Sequence, residues 1–239
     1  MDWGIPTLLE APGPEASAAL CRELGFDFVE LNMNLPEYQQ WDIQRLMKAA
    51  ERYEVYFTIH LDERLDLCDF NPRIAEAYLQ TLVEAIEAAK HLGIPILNMH
   101  LLEGVYFTLP DKKHYLYDDG ELPLRSLLTP GNGLDKPSEK EVPVTVVENT
   151  GRFSVPFLRE ALGRLLDSPL FGLTYDIGHD FSAGEADKPF ILEHQGRLQH
   201  LHIHDALGRR NHLPLGAGEM DIRWYIELGE RHRCRAVLE

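Results

Sequence analysis

Apolar, β-prone runs alternate along this chain with segments whose apolar residues recur at helical spacing. Gly4–Leu9, Phe26–Asn32, Val55–His60, Ile94–His100, Val142–Glu148, Gly172–Asp176, Leu198–His204 and Arg235–Glu239 read as strands. Between them, Glu15–Leu24, Asp42–Tyr53, Pro156–Leu166, a poorer Pro189–His194 and Asp221–Arg231 read as helices. The clearest helix has Asn71 as its cap, Pro72 at its first position, Leu79, Leu82, Val83, Ile86 and Ala89 on one face, and Gly93 at its end. Strands alternating with helices in this way make a parallel sheet, and eight of them predict closure into an α/β (β/α)8 TIM barrel.

Seven of the runs end on a lone carboxylate or imidazole: Glu30, His60, His100, Glu148, Asp176, His202 and Glu239. A barrel strand delivers its last inward residue to the C-terminal mouth, where active sites of this fold are assembled. Any one of these residues alone would more often be a hydrogen-bonded interior group than a ligand. Seven at successive strand ends predict a shared site, and their types suit a first-row metal.

Two stretches break the pattern. The fourth connection, 104–141, offers aromatics and turn residues with only Leu122–Leu128 of helical character, and is expected to be a long βα loop forming a lid over the mouth. No helix follows the eighth strand. The outer face of that strand and of the first is therefore expected to be apolar and covered, by a second copy in a homo-oligomer or by rearranged chain.

Length and composition, 239 residues and 44% hydrophobic, fit one barrel domain over 1–239. A net charge of −16 disfavours nucleic acid as a partner. Cys21, Cys68 and Cys234 are too few and wrongly spaced for a disulfide framework or thiolate zinc site, which fits a reducing cytoplasm. The opening residues lack a signal peptide pattern and no window is long enough for a membrane span, so the chain is expected to be unprocessed and soluble.

The segments Val144–Gly151, Leu173–His179 and Leu201–Asp205, with His60, His100, the Leu213–Glu219 loop and terminal Val237–Glu239, resemble the xylose isomerase-like TIM-barrel superfamily. That group includes sugar and sugar-phosphate isomerases and epimerases, inosose dehydratase and endonuclease IV. The resemblance to the epimerase branch implies one divalent ion, Zn, Mn, Mg or Co, held by Glu148, Asp176, His202 and Glu239. It also implies that Glu148 and Glu239 are catalytic and move protons on opposite faces of a substrate carbon. Glu30, His60, His100, His179, His204, Arg210 and His212 are then expected to face a sugar or sugar phosphate.

Resemblance to endonuclease IV implies instead three zinc ions. The first falls on His60, His100 and Glu148, so a second ion there is the open alternative. The third requires an aspartate with His179 and His212, and that position is Arg210, which has no lone pair to give. A barrel that keeps the metal site and has lost turnover, acting as a binding protein, is the remaining reading.

Overall fold

The computed structural model describes residues 1–67, 69–119 and 143–239. The eight expected strands are β1 (Asp2–Pro6), β2 (Phe28–Asn32), β3 (Tyr56–His60), β4 (Ile96–His100), β7 (Val144–Glu148), β8 (Phe171–Asp176), β9 (Leu198–Ile203) and β12 (Arg235–Leu238). All pair in parallel and close in the order β1, β12, β9, β8, β7, β4, β3, β2, with β2 returning to β1. Every residue of β8 is buried, and β2, β3, β4 and β7 each bury four of five, as strands covered on both faces must.

Register does the positioning. His100 lies opposite Glu148, and Asp176 opposite His202. Ile203 lies opposite Leu238, which brings Glu239, the next residue, to the same rim. Residues two positions earlier face the same interior. Glu30, Thr58, Asn98, Thr174 and His200 are all buried there, so the interior beneath the mouth is polar rather than aliphatic.

The outer ring is α1 (Gly13–Glu23), α2 (Ile43–Tyr53), α3 (Pro72–Leu92), α4 (Pro156–Leu166), α5 (Ile177–Ser182), α6 (Lys188–Glu193) and α7 (Ile222–His232). Local chemistry sets their ends. Asp42 and Asp221 accept the Arg45 and Trp224 backbone N–H groups at the starts of α2 and α7, and Asn71 accepts that of Arg73 at the start of α3. Gly93 closes α3 in the left-handed conformation, φ 65°.

The first strand lies earlier than its apolar run suggested, because β1 takes its register from β12 and β2 while Thr7–Leu9 have already left the sheet. The poorer helix expected over Pro189–His194 is α6, and α5, which precedes it between β8 and β9, is an additional short helix that periodicity did not mark. Part of the fourth connection is a hairpin of β5 (Tyr106–Thr108) and β6 (Lys113–Tyr115). The helical expectation for Leu122–Leu128 and the residue Cys68 lie outside the described residues. Of the described aromatics of this connection, Tyr115 and Tyr117 lie against Phe157 of α4 and Tyr117 stacks on Phe70, while Tyr106 and Phe107 are exposed. At the β12/β1 face, Ile5 and Ala236 are buried, and Trp3 and Leu238 are half-buried against the core. Among the described residues no helix is long and apolar enough to cross a membrane.

Candidate active site

A cavity of about 300 Å³ opens at the C-terminal ends of the strands, walled by Pro6, Glu30, Asn32, His60, Glu63, His100, Glu148, Asp176, His179, His202, His212 and Glu239. All seven strand-end residues singled out above are in that wall, contributed by seven different strands or their immediate ends.

His202 stands at its centre. Its Nδ1 lies 3.4 Å from Glu148 Oε2, 3.3 Å from Glu239 Oε1 and 3.9 Å from Asp176 Oδ2. Its Nε2 faces Glu30 Oε1 at 2.9 Å. Burial alone would lower its pKa, but the Glu148, Glu239 and Glu30 carboxylates hold it well above the ordinary imidazole range.

Glu148 is 2% exposed. Its Oε2 accepts a short hydrogen bond from the Asn98 side-chain amide and lies 3.2 Å from His60 Nε2 and 3.4 Å from His100 Nε2. Asn98 is itself fixed, its Oδ1 accepting from the Thr174 hydroxyl at 2.7 Å. Burial disfavours the charge on Glu148, yet the surrounding imidazoles of His202, His100 and His60 keep its carboxyl well below the usual range. His60 turns its Nδ1 to the Leu61 carbonyl at 2.8 Å, leaving Nε2 for Glu148. Burial opposes its protonation, and the Glu148 carboxylate outweighs this, pushing its pKa up to about 9.

Asp176 is fully buried and caps the first turn of α5, with Oδ1 accepting the His179 backbone N–H at 2.7 Å. The same Oδ1 lies 3.1 Å from His204 Nε2. Because His204 Nδ1 accepts the His212 backbone N–H at 2.8 Å, the proton of that ring is on Nε2, directed at Asp176. His204 is buried behind Asp176 and outside the cavity wall. The Asp176 backbone is clamped by Asn149, whose Oδ1 accepts its N–H at 2.7 Å and whose Nδ2 donates to its carbonyl at 2.9 Å.

Glu239 completes the ring, tied to β9 by its N–H donating to the Ile203 carbonyl at 3.1 Å. Its Oε2 lies 3.5 Å from His212 Nδ1, and burial raises its pKa above the ordinary value. His179 and His212 meet at the rim with Nε2 atoms 3.1 Å apart. Arg210 is placed apart from these residues: it is exposed on the hairpin of β10 (Asp205–Leu207) and β11 (Arg210–Leu213), in register with Leu207 and outside the cavity wall. Glu30, expected to face substrate, has both carboxylate oxygens engaged by His200, His202 and Thr58, although it also reaches the cavity wall.

The donor set fits a divalent cation. Asp176 Oδ2 is buried and, although 2.9 Å from His179 Nδ1, has no partner in hydrogen-bond geometry; His100 Nε2 is also buried without a hydrogen bond. Ligand atoms of Asp176, His202 and Glu239 lie within 4.8 Å of one another, as do those of Glu148, Asp176 and His179 and those of His60, His100 and Glu148. Glu148, Asp176 and Glu239 bring three carboxylates to one space, whose mutual repulsion a bound cation would relieve, and His202 Nδ1 adds an imidazole donor to the set.

Several supporting residues were not singled out from the sequence. Asn98 precedes His100 by two positions on the same strand face, so alternation alone marks it. Asn149 and Asp187 carry no such mark. Asp187 accepts the Gly151, Arg152 and Phe153 backbone N–H groups, which fixes the loop after β7 from a distance of more than thirty residues. Gly178 is needed for another reason: a Cβ there would lie 2.1 Å from the His204 ring. Alanine in a helix ordinarily gains about 1 kcal/mol over glycine. Here the clash reverses the sign, and Gly178→Ala is expected to lose about 1–3 kcal/mol. Thermal unfolding checks this, and a melting temperature at or above wild type would show that the His204 ring has room to move.

A model of the family described as xylose isomerase-like TIM barrel matches residues 18–228. The uncharacterized protein MJ1311 of Methanocaldococcus jannaschii is 25% identical over 97% of this chain and 79% of its own length. Among solved structures, a D-tagatose 3-epimerase-like protein superposes with a TM-score of 0.72 at 24% identity, covering 100% of this chain and 89% of the other. The 3-keto-D-glucoside 4-epimerase YcjR of E. coli does so with a TM-score of 0.70 at 16% identity, covering 100% and 91%. The structural likenesses establish the shared fold, and the family match over most of the sequence establishes kinship: the chain belongs to the xylose isomerase-like TIM barrel family.

Proposed function

We propose that the protein is a divalent-metal-dependent epimerase or isomerase of a sugar or sugar phosphate. The observation that carries this is the pair of carboxylates, Glu148 and Glu239, brought to 3.4 and 3.3 Å from His202 Nδ1 in a cavity that Asp176 also lines. Glu148, Asp176, His202 and Glu239 would hold the ion. When bound, the ion would polarise a substrate carbonyl and acidify the neighbouring C–H. One glutamate then takes that proton and the other returns one to the opposite face, each acting as general acid–base within reach of the carbon. His179, His212, Glu63 and Asn32 offer hydrogen-bonding groups around the cavity for substrate hydroxyls. The epimerases named among the structural neighbours support this reading, as does the family.

The His60, His100 and Glu148 cluster favours one second reading, a zinc phosphodiesterase with more than one ion. The net charge of −16 and the exposed, outlying Arg210 weigh against it. Metal content per chain, measured by plasma mass spectrometry on protein purified without a metal-affinity column, separates the two. One equivalent with turnover of a free or phosphorylated ketose is the expected result. Two or three equivalents of zinc with cleavage of abasic-site DNA would replace it by the nuclease, and a protein that takes up neither Mn nor Zn would leave a degenerate binding barrel.

A further inference from the structure

Beneath the mouth, Glu30 of β2 joins two histidines of β9 that point the same way. His202 Nε2 lies 2.9 Å from Glu30 Oε1, and His200 Nε2 lies 2.9 Å from Oε2, which also accepts from the Thr58 hydroxyl at 3.2 Å. Glu30 is 2% exposed, His202 1% and His200 0%, so none of these bonds competes with bulk water. Both oxygens of Glu30 are therefore occupied from below and from the side, and a carboxylate engaged in this way holds a ring more firmly than it greets a substrate.

An imidazole that donates one N–H to a buried carboxylate has its other nitrogen aimed and its tautomer fixed. The nitrogen so fixed on His202 is Nδ1, the atom facing Glu148, Asp176 and Glu239. His200 cannot serve as a ligand in that ring, because its Nε2 is spent on Glu30 and its Nδ1 is buried without a hydrogen-bond partner, one layer lower. Its contribution is to hold the second oxygen of Glu30, so that the carboxylate cannot swing away from His202.

We infer that Glu30 is a positioning residue, which, braced by His200 and Thr58, presents Nδ1 of His202 to the cation rather than Nε2. This deepens the proposed function and rests on its metal site. It moves Glu30 from contact with substrate to control of a ligand.

The test uses the full chain, with Zn²⁺ and Mn²⁺ as probes. Glu30→Ala and the volume-conserving Glu30→Gln are expected to weaken binding of both ions by about 10–100-fold, the range for loss of a carboxylate behind a metal-bound histidine. Proton NMR of the zinc-loaded protein is expected to show a slowly exchanging, downfield His202 Nε2–H in wild type that is lost in Glu30→Ala and displaced in Glu30→Gln. A structural role alone would leave that resonance in place in the Gln variant, which keeps the volume of the side chain. Binding within about twofold of wild type in either folded variant, or an unchanged Nε2–H resonance, overturns the inference. A wild-type protein that binds neither ion sinks the proposed function and this role with it, whereas wild-type binding with unchanged variants sinks this role alone.

Discussion

Glu239→Gln is expected to lower kcat for a ketose substrate by about 10²–10⁴-fold, the usual worth of a positioned general acid–base. The substitution preserves the shape of the side chain and its backbone bond to Ile203, and removes the proton-exchanging group together with one anionic donor to the ion, so turnover is compared at equal, measured metal occupancy. Of the two glutamates, Glu239 gives the cleaner experiment. Glu148 is wrapped by Asn98, His60, His100 and His202, so changing it disturbs four partners at once. Glu239 has its nearest ring nitrogens at 3.3 and 3.5 Å and a side chain that is 18% exposed. Single-turnover kinetics with a substrate deuterated at the reacting carbon would report the step directly. Wild-type turnover in Glu239→Gln would remove this residue from the proton path.

Asp176→Ala is expected to abolish metal uptake, with affinity falling by more than about 100-fold, beyond the range seen for groups standing behind a ligand. It should also cost about 3–5 kcal/mol of stability in the metal-free protein, the usual consequence of removing one member of a buried ionic cluster. The physical reason is that Asp176 has two jobs. Its Oδ1 caps α5 and receives the His204 Nε2–H, while Oδ2 is left facing the cavity. Asp176→Asn separates them, since an amide oxygen can still cap and accept while the amide nitrogen cannot ligate. The Asn variant should therefore melt close to wild type and still fail to bind the ion. Metal titration followed by calorimetry checks both variants, and retention of one equivalent by Asp176→Asn would take this residue out of the ligand set.

Much of this arrangement is legible in the amino-acid sequence, and for a definite reason. A strand in a closed barrel alternates between interior and exterior with a period of two, so an apolar run that ends in a charged residue carries its own address. Glu148, Asp176, His202 and Glu239 could be placed at the same end of the barrel on that basis. What the pattern does not carry is the level at which one strand meets the next, because register is a property of pairs. Glu30 and His200 are 170 residues apart in sequence, and the bond between them follows from two registers and a closure. Arg210 shows the converse: its sequence position beside His212 suggested a shared role, but hairpin geometry puts the arginine on the exposed end while His212, at φ 50°, turns back to the cavity. The hairpin itself was invisible because its strands are too short for alternation to register.

The loop after that hairpin hangs mainly from one side chain. Buried Asp205 accepts the backbone N–H groups of Ala206 and Met220 on Oδ1 and of Gly216 and Gly218 on Oδ2, which is why its carboxyl stays below the usual range despite burial. Two positions are constrained by this: Gly216 by its φ of 83° and Gly218 because a Cβ there would meet Asp205 Oδ1 at 2.2 Å. Elsewhere Glu219 ties the loop to the hairpin turn, its Oε1 accepting the Gly208 backbone N–H at 2.9 Å, while Leu215 and Ala217 are exposed. Descendants of such a barrel can rewrite Leu215 and Ala217 without renegotiating the fold, which makes this rim the natural place for relatives to diverge and for a library to begin.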